Sequence, residues 1–261
     1  MSDVGIDAAI VPWGGELSGF DAAVVRGCWD YIDARDDFLA WCESVSVSGG
    51  VPLANPAEVL RWNTDKRYLR DLAGAGVPVI STRWSDSASL EFPEGEFVVK
   101  PAVSAGARMA ARHTSVQSAA RHVSAIHESG DIALVQPFVP TVESVGETGT
   151  YVFGGVVSHA IRKMGILDRG APPADSPTAS SVDRVGPTPV SEELAEFALA
   201  VVAASPGPCL YARVDTVPDP DTGSPLLMEL EVTEPYLFLK DQPEAAARFA
   251  TATAAWLTSL A

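Results

Sequence analysis

Lysine is scarce in this chain: of 18 basic residues only Lys66, Lys100, Lys163 and Lys240 are lysines. Against the bases stand 34 acids, for a formal net charge of −16. A nucleic-acid backbone needs a basic stripe, so no nucleic-acid partner is expected. Any phosphate bound here must be held by a local pocket of cations, backbone amides or metal, which makes the place of each lysine informative. The sequence also lacks an apolar run near the ~20 residues needed to cross a bilayer, and no membrane partner is expected. Cysteine is rare and odd in number (Cys28, Cys42, Cys209), a pattern that fits buried thiols in a reducing compartment better than disulfides. The opening MSDVGIDAAIVPW carries an acid and no basic stretch, which argues against a secretory signal; a cytoplasmic location is expected. His113, His122 and His127 do not fall at the i, i+4 spacing of a helical zinc pair and are expected at the surface.

What is present is a globular composition, 47% hydrophobic and 20% charged, over a length of 261 residues that allows about two domains. Residues 7–13 and 21–28 alternate as two buried strands; a helix is expected over 34–48 with Phe38, Leu39, Trp41, Cys42 and Val45 on one side. Asn63 or Thr64 should cap a helix that Gly74 and Gly76 end. EFVVKPA, MAARH and ALVQPFV read as strands, with a helix between the last two. GTYVFGGVVSHAIRKM reads as a hairpin pivoting near Gly154 and Gly155. Residues 168–188, rich in Pro, Ser and Asp, read as a loop or lid. A helix over 190–204, a hairpin of CLYARVDTVPD with PLLMELEVTEP, and a helix over 243–259 complete the chain.

The last hairpin carries acids in a telling arrangement. Glu229 and Glu231 are two apart and project from one sheet face, where Asp215 can join them from the facing strand. Three carboxylates on an apolar strand pair repel unless a cation lies among them, and oxygen-only ligands suit Mg²⁺. A solvated strand face is the alternative, weakened by the apolar LLMELEV. Arg213 faces the same side and could pair with the acids or steady a transferring phosphoryl group. Lys100 ends the strand FVVK before the small-residue loop VSAGAR, well placed for phosphate, although strand-end lysines also snorkel to solvent. Lys66 is read in the first turn of its helix, where a cation opposes the macrodipole and a purely structural role is less natural. No G-x-x-x-x-G-K-[ST] occurs, which excludes a P-loop, and FVVK lacks the glycine loop that precedes a kinase lysine.

In this order, a lysine on an early helix, strand-Lys-Pro with a small loop, V-Q-P-F-V, G-E, then R-x-D and E-x-E on a hairpin, the chain resembles the ATP-grasp superfamily over about residues 20–240. RGCWDY, NTDKRYL, VKPAVSAGAR, SHAIRK and ELEVTEPYLFL look most like the bacterial ligase branch that includes the D-cycloserine-forming ligase. The resemblance implies an α/β (α+β) ATP-grasp fold with a partial N-terminal α/β sub-domain over 1–83, a small lid sub-domain over 84–140 and a C-terminal sub-domain over 141–261. It implies ATP held at its phosphates by Lys66, Lys100 and a loop including Ser104 and Gly106. Gln136, Pro137, Phe138 and Val139 would lie along the adenine, Glu147 (or Glu143) would bind the ribose, and Lys163 would lie near the nucleotide. Asp215, Glu229 and Glu231 would hold Mg²⁺, and Arg213 with Lys100 would act on the acyl phosphate.

The implied reaction activates a carboxylate as an acyl phosphate for attack by an amine or other nitrogen, including one in the same molecule. The partners are small-molecule carboxylates and amines, with a homodimer as the expected assembly. An ATP-dependent phosphoryl transferase and an inactive ATP-binding module are the alternatives. Three departures qualify the likeness. Few residues precede IDAAIVPW where the family has a strand and helix. The metal motif E-L-E-V-T-E-P is longer than the usual E-x-N-x-x-P, so that Glu234 could replace Glu231. Tyr236 follows the proline where a smaller residue is usual. Arg26 and Tyr31, with Trp29 and Asp30, are expected to face the substrate.

Overall fold

The computed structural model describes residues 1–87, 90–165, 167–173 and 185–260. Among these residues three sheets form. Strands β1 (Ala23–Val24) and β2 (Leu53–Ala54) make a two-stranded parallel pair beside helix α1 (Arg35–Glu43), whose last turn widens into a π-helical segment over Ser44–Ser48. Helices α2 (Ala57–Asn63) and α3 (Tyr68–Gly74) follow. A four-stranded sheet has the order β3 (Arg83–Trp84), β6 (Ala133–Pro137), β4 (Phe97–Pro101), β5 (Ala111–His113), with helix α4 (Val116–Glu128) against it. After the short helix α5 (Thr141–Ser144) come β7 (Glu147–Phe153), β8 (Val156–Lys163), β9 (Val185–Thr188), α6 (Glu192–Ala203), β10 (Tyr211–Pro218) and β11 (Pro225–Glu231). These five strands pair in the order β11-β10-β7-β8-β9, and α7 (Pro243–Ser259) closes the chain.

Strand periodicity positions the site. In β4, Phe97 and Val99 point into a core with Ala119, Val123 and Ile126 of α4, which recur on one helical face. The alternate residues Val98 and Lys100 are thereby turned to the opposite face, into a cleft between the two larger sheets. In β10, Ala212 and Val214 pack with Ala198 and Val201 of α6, so Arg213 and Asp215 face the same cleft. A bulge at Asp215/Thr216 leaves Met228 without a partner on β10, and Met228 also lines the cleft.

Several local expectations change. Residues 7–13 form no strand, and Ile10 is fully exposed; apolar alternation yields a strand only where another strand can pair with it. Asn63 does not open a helix but ends α2. Its amide donates to Leu230 O (2.6 Å) and accepts from Val232 N (3.0 Å), so a tertiary bond outbids the cap. His113 and His122 are buried and hydrogen-bonded to each other, Nε2 to Nδ1 at 3.0 Å, rather than solvated. Of the expected loop 168–188, the end is strand β9 and residues 174–184 lie outside the described residues. Cys28 and Cys42 are buried, and burial pushes both thiols up to about 12. No helix among the described residues is long and apolar enough to cross a membrane.

Candidate active site

The cleft between the sheets has a volume of about 530 Å³. Its floor is the cleft face of β7, β8, β10 and β11. There Arg213 lies opposite Glu231, Asp215 opposite Glu229, and Glu147 opposite Lys163. The Arg213 guanidinium grips Asp215 through Nε (2.8 Å to Oδ1) and Nη2 (2.7 Å to Oδ2) and also contacts Glu231. Lys163 contacts Glu147 and reaches Asp215 Oδ2 at 3.4 Å. Gly149 on β7 makes room for this: a Cβ there would stand 2.8 Å from Asp215 Oδ1 and 3.1 Å from Arg213 Cδ.

The electrostatics follow from burial among these charges. Burial pushes the Asp215 carboxyl up, but Arg213 and Lys163 outweigh it and bring it down to about 2. Burial, joined by Asp215 and Glu229, raises Glu231 to about 7 against the pull of Arg213. Burial also raises Glu147 despite Lys163. Glu229 is held below its usual range because Lys66 and Lys100 exceed the burial cost.

Lys66 lies between α2 and α3, not in a helical first turn, and its backbone N–H donates to Ala102 O (2.9 Å). Its ammonium is buried and fully engaged, to Glu229 Oε1 (3.1 Å), Ser104 O (2.5 Å) and Ser104 Oγ (3.1 Å). Lys100 also lines the cleft but makes no ion pair or hydrogen bond through its ammonium among the described residues; burial and the nearby Lys66 lower its pKa. The loop carrying Ser104 and Gly106 contains three left-handed residues, Gly106 (φ 61°), Ala107 (φ 61°) and Met109 (φ 56°). Two of these are not glycine, a costly backbone typical of ligand-binding loops. Arg108 of this loop pairs with Asp33 at 2.6 Å, joining it to the 3₁₀ turn Trp29–Asp33.

The far wall is the segment Gln136–Val139. The Gln136 side chain donates to Thr82 Oγ1 (2.9 Å), and Phe138 N–H donates to Glu96 O (2.8 Å). The Phe138 ring stacks 3.4 Å from the Arg112 guanidinium, which also pairs with Glu96 and Glu143. Ile80, Val98, Val142, Met164 and Leu167 add an apolar lining that gives no signal in sequence, because such residues read as core.

Two expectations on the substrate side change. Arg26 does not line the cleft. Its guanidinium lies over Tyr211 (5.5 Å) and Phe249 (5.9 Å), because the Tyr211 hydroxyl bonds Val25 O and draws the end of β1 toward α7. Tyr31 is buried and reaches the cleft only through its hydroxyl, which donates to Glu234 Oε1 at 3.2 Å. Trp29 lines the cleft, whereas Asp30 accepts a hydrogen bond from Trp13 (3.0 Å) away from it. The expected metal acids are not gathered into a ready centre. Among the described residues no three His, Cys, Asp or Glu side chains are grouped to hold an ion, since Asp215, Glu229 and Glu231 are each drawn to a lysine or arginine instead. Their chemistry still suits Mg²⁺: all donors are oxygens, and Asp215 and Glu229 face each other in register.

Two sheets closing on a cleft lined with lysines form the ATP-grasp fold. It is shared with D-alanine–D-alanine ligase from Bacillus anthracis complexed with ATP (TM-score 0.60, 16% identity, 86% of this chain and 79% of that one). It is shared too with the ATP-grasp ligase PsnB complexed with precursor, Mg and ADP (TM-score 0.56, 19% identity, 89% and 78%). A family model for the N-terminal domain of D-cycloserine synthetase DcsG matches residues 1–55. The cycloserine biosynthesis protein DcsG of Streptomyces lavendulae is 36% identical over 96% of this chain and 89% of its own length. The crystal structure of D-cycloserine synthetase DcsG superposes with a TM-score of 0.86 at 34% identity, covering 98% of this chain and 91% of that one. The chain therefore belongs to the DcsG family of ATP-grasp ligases, and it is an ATP-dependent carboxylate–amine ligase.

Proposed function

We propose that this ligase binds Mg·ATP in the cleft, transfers the γ-phosphoryl group to a small carboxylate, and lets a nitrogen nucleophile displace phosphate from the activated acyl group. The observation that carries this reading is the convergence of Lys66, Lys100, Lys163 and Arg213 on one cleft in a chain of net charge −16. That cluster is the local cation pocket a triphosphate requires, and transfer through a charged transition state depends on such fixed positive charge.

Lys66 and Lys100, with Ser104 and Gly106, would hold the phosphates. Gln136, Pro137, Phe138 and Val139 would border the base, and Glu147 the ribose, with Glu143 as second choice. Asp215, Glu229 and Glu231 would hold Mg²⁺, which when bound neutralises charge on the phosphates. Arg213, which contacts both Asp215 and Glu231, would steady the acyl phosphate, and Lys163 would lie near the nucleotide. The 104–109 loop, tied at one end to Lys66 and at the other to Asp33, would cover the site and keep water from the activated acyl group. The test is an ADP-release screen with Mg²⁺ over amino acids and small carboxylates, with product analysis by mass. An amide or cyclic product supports the reading, a stable phosphorylated product replaces it with a phosphoryl transferase, and carboxylate-independent nucleotide binding alone leaves a binding module.

A further inference from the structure

Two buried histidines have no part in the chemistry described so far, and neither lines the cleft. His113, at the end of β5, and His122, on α4, are 6% and 5% exposed, and His113 Nε2 lies 3.0 Å from His122 Nδ1. His113 Nδ1 lies 3.0 Å from Ser118 Oγ, and the ring stacks on Phe97 with centroids 6.3 Å apart. The fourth ring nitrogen, His122 Nε2, is wholly buried and completes no hydrogen bond of ordinary geometry. A buried polar atom in that state is costly and calls for a physical reason.

Burial lowers both rings below the ordinary histidine value, and Arg112, next to His113 on β5, sends its guanidinium the other way, over Phe138. Both rings are therefore neutral at neutral pH, and each carries one proton. Two arrangements satisfy the contacts. In one, Ser118 donates to His113 Nδ1, His113 Nε2–H donates to His122 Nδ1, and His122 Nε2 carries a proton. In the other the protons run the opposite way, and His122 Nε2 is a bare lone pair. The backbone of Met109 separates the two: it favours protonation of His122, which an acceptor does and a donor does not, so the Met109 carbonyl is what the ring meets. A lone pair set against that oxygen is repelled, whereas an N–H is drawn to it. The first arrangement is the one that fits.

Met109 links the dyad to the site. It is the last left-handed residue (φ 56°) of the loop that carries Ser104 and Gly106, and β5 begins two residues later. With a Cβ to accommodate, that conformation persists only where its surroundings hold it. We propose that the His113–His122 dyad is the support beneath the phosphate loop: as the loop closes on the nucleotide, His122 Nε2–H donates to the Met109 carbonyl and fixes the left-handed turn, while Ser118 and His113 keep the proton on that nitrogen. His122 is thereby a positioning residue for nucleotide binding. This deepens the reading of the cleft as a nucleotide site and rests on it.

Two measurements on the full chain test this. In nitrogen-labelled wild type, long-range proton–nitrogen NMR spectra at neutral pH should show both rings neutral with the proton on Nε2. Addition of Mg²⁺ and a non-hydrolysable ATP analogue should move the His122 Nε2 proton downfield and slow its exchange. Two near-isosteric variants then divide the ring. His122→Asn keeps an acceptor near the place of Nδ1 and loses the reach to Met109; His122→Gln keeps an N–H near the place of Nε2 and loses the acceptor for His113. Kd for the analogue, by calorimetry, should rise about fivefold in His122→Asn, the scale of one net hydrogen bond, and stay within about twofold of wild type in His122→Gln, although both variants lose stability. A proton on His122 Nδ1, an Nε2 proton that ignores the nucleotide, or equal nucleotide affinity in the two variants would each overturn the proposal, the last reducing the dyad to packing. Should the variants fold poorly, the wild-type spectra decide. The nucleotide reading fails differently, by the absence of any binding of the analogue to wild type, and would take the proposal with it.

Discussion

Lys66 Nζ lies 3.1 Å from Glu229 Oε1 while two further contacts bind it to Ser104, so one ammonium ties the 104–109 loop to the acid face of β11. Burial lowers its pKa, but Glu229 more than restores it, so the pair is ionised at neutral pH. Lys66→Met should therefore strip Glu229 of its cation and release the loop together. Glu229 is 26% exposed, so the stability loss should be about 1–3 kcal/mol, less than the ~3–5 of a fully buried pair. Urea denaturation measures that loss, and nucleotide titration should show weakened binding in the same variant.

Lys100→Met should behave differently. Its ammonium has no ion-pair partner among the described residues and is disfavoured by burial and by Lys66. Removing it relieves a buried charge but also takes from Glu229 a cation that helps keep it ionised, so Tm should change little. Nucleotide affinity should fall about tenfold or more, the usual scale of a charge-assisted phosphate contact. Equal losses of Tm and affinity would instead assign Lys100 a structural part.

These contrasts mark how far the sequence could be read. Glu229, Glu231 and Lys100 were legible because strand alternation assigns a face, and the ranges expected for β7, β8 and α7 match because long periodic segments carry their own signal. The engagement of Lys66 was not legible. Its partner Ser104 is 38 positions away, and only the closing of the sheets brings them together. Nor was the fate of Arg26: an arginine after an apolar strand reads as a ligand group until Tyr211 and Phe249, far along the chain, supply a stacking surface. Residues 7–13 failed for the complementary reason, a strand pattern with no neighbour to pair with.

The buried histidines give the acid limb of the stability profile. Burial, with His113 close by, lowers His122 from 6.5 to about 4, and burial lowers His159 to about 4 as well. Between these values the unfolded chain takes up protons that the folded chain refuses, so these groups cost stability as pH falls from about 6.5 to about 4. Glu231 and Glu234 have the opposite sign, since their folded values of about 7 and about 8 lie above the ordinary carboxylate range, and they add stability on acidification toward pH 4.5. The histidine contribution is thus read as a difference: Tm of wild type minus Tm of His122→Asn, followed from pH 7.5 to 4.5, should shrink on acidification. A constant difference would mean that His122 is charged in the folded protein.

Asn55 supplies the strongest test of how the N-terminal segment is joined to the site. It is wholly buried, its amide donates to Tyr211 O (2.9 Å) and Val232 O (2.7 Å), and its carbonyl accepts from Leu210 N (2.6 Å). One side chain thus links the end of β2 to β10 and to the turn after β11, the same turn that carries Glu234. Asn55→Ala leaves three buried backbone groups without partners and opens a small void. At ~1–3 kcal/mol for each unsatisfied group, with partial relaxation, the loss should reach about 3–5 kcal/mol. Asn55→Asp keeps the acceptor but sets a carboxylate against two carbonyl oxygens, so it should be at least as damaging despite its near-identical shape. Urea midpoints at constant m-value measure both changes. A loss below about 1 kcal/mol in Asn55→Ala would show that the N-terminal segment is not joined to the catalytic sheet through this side chain.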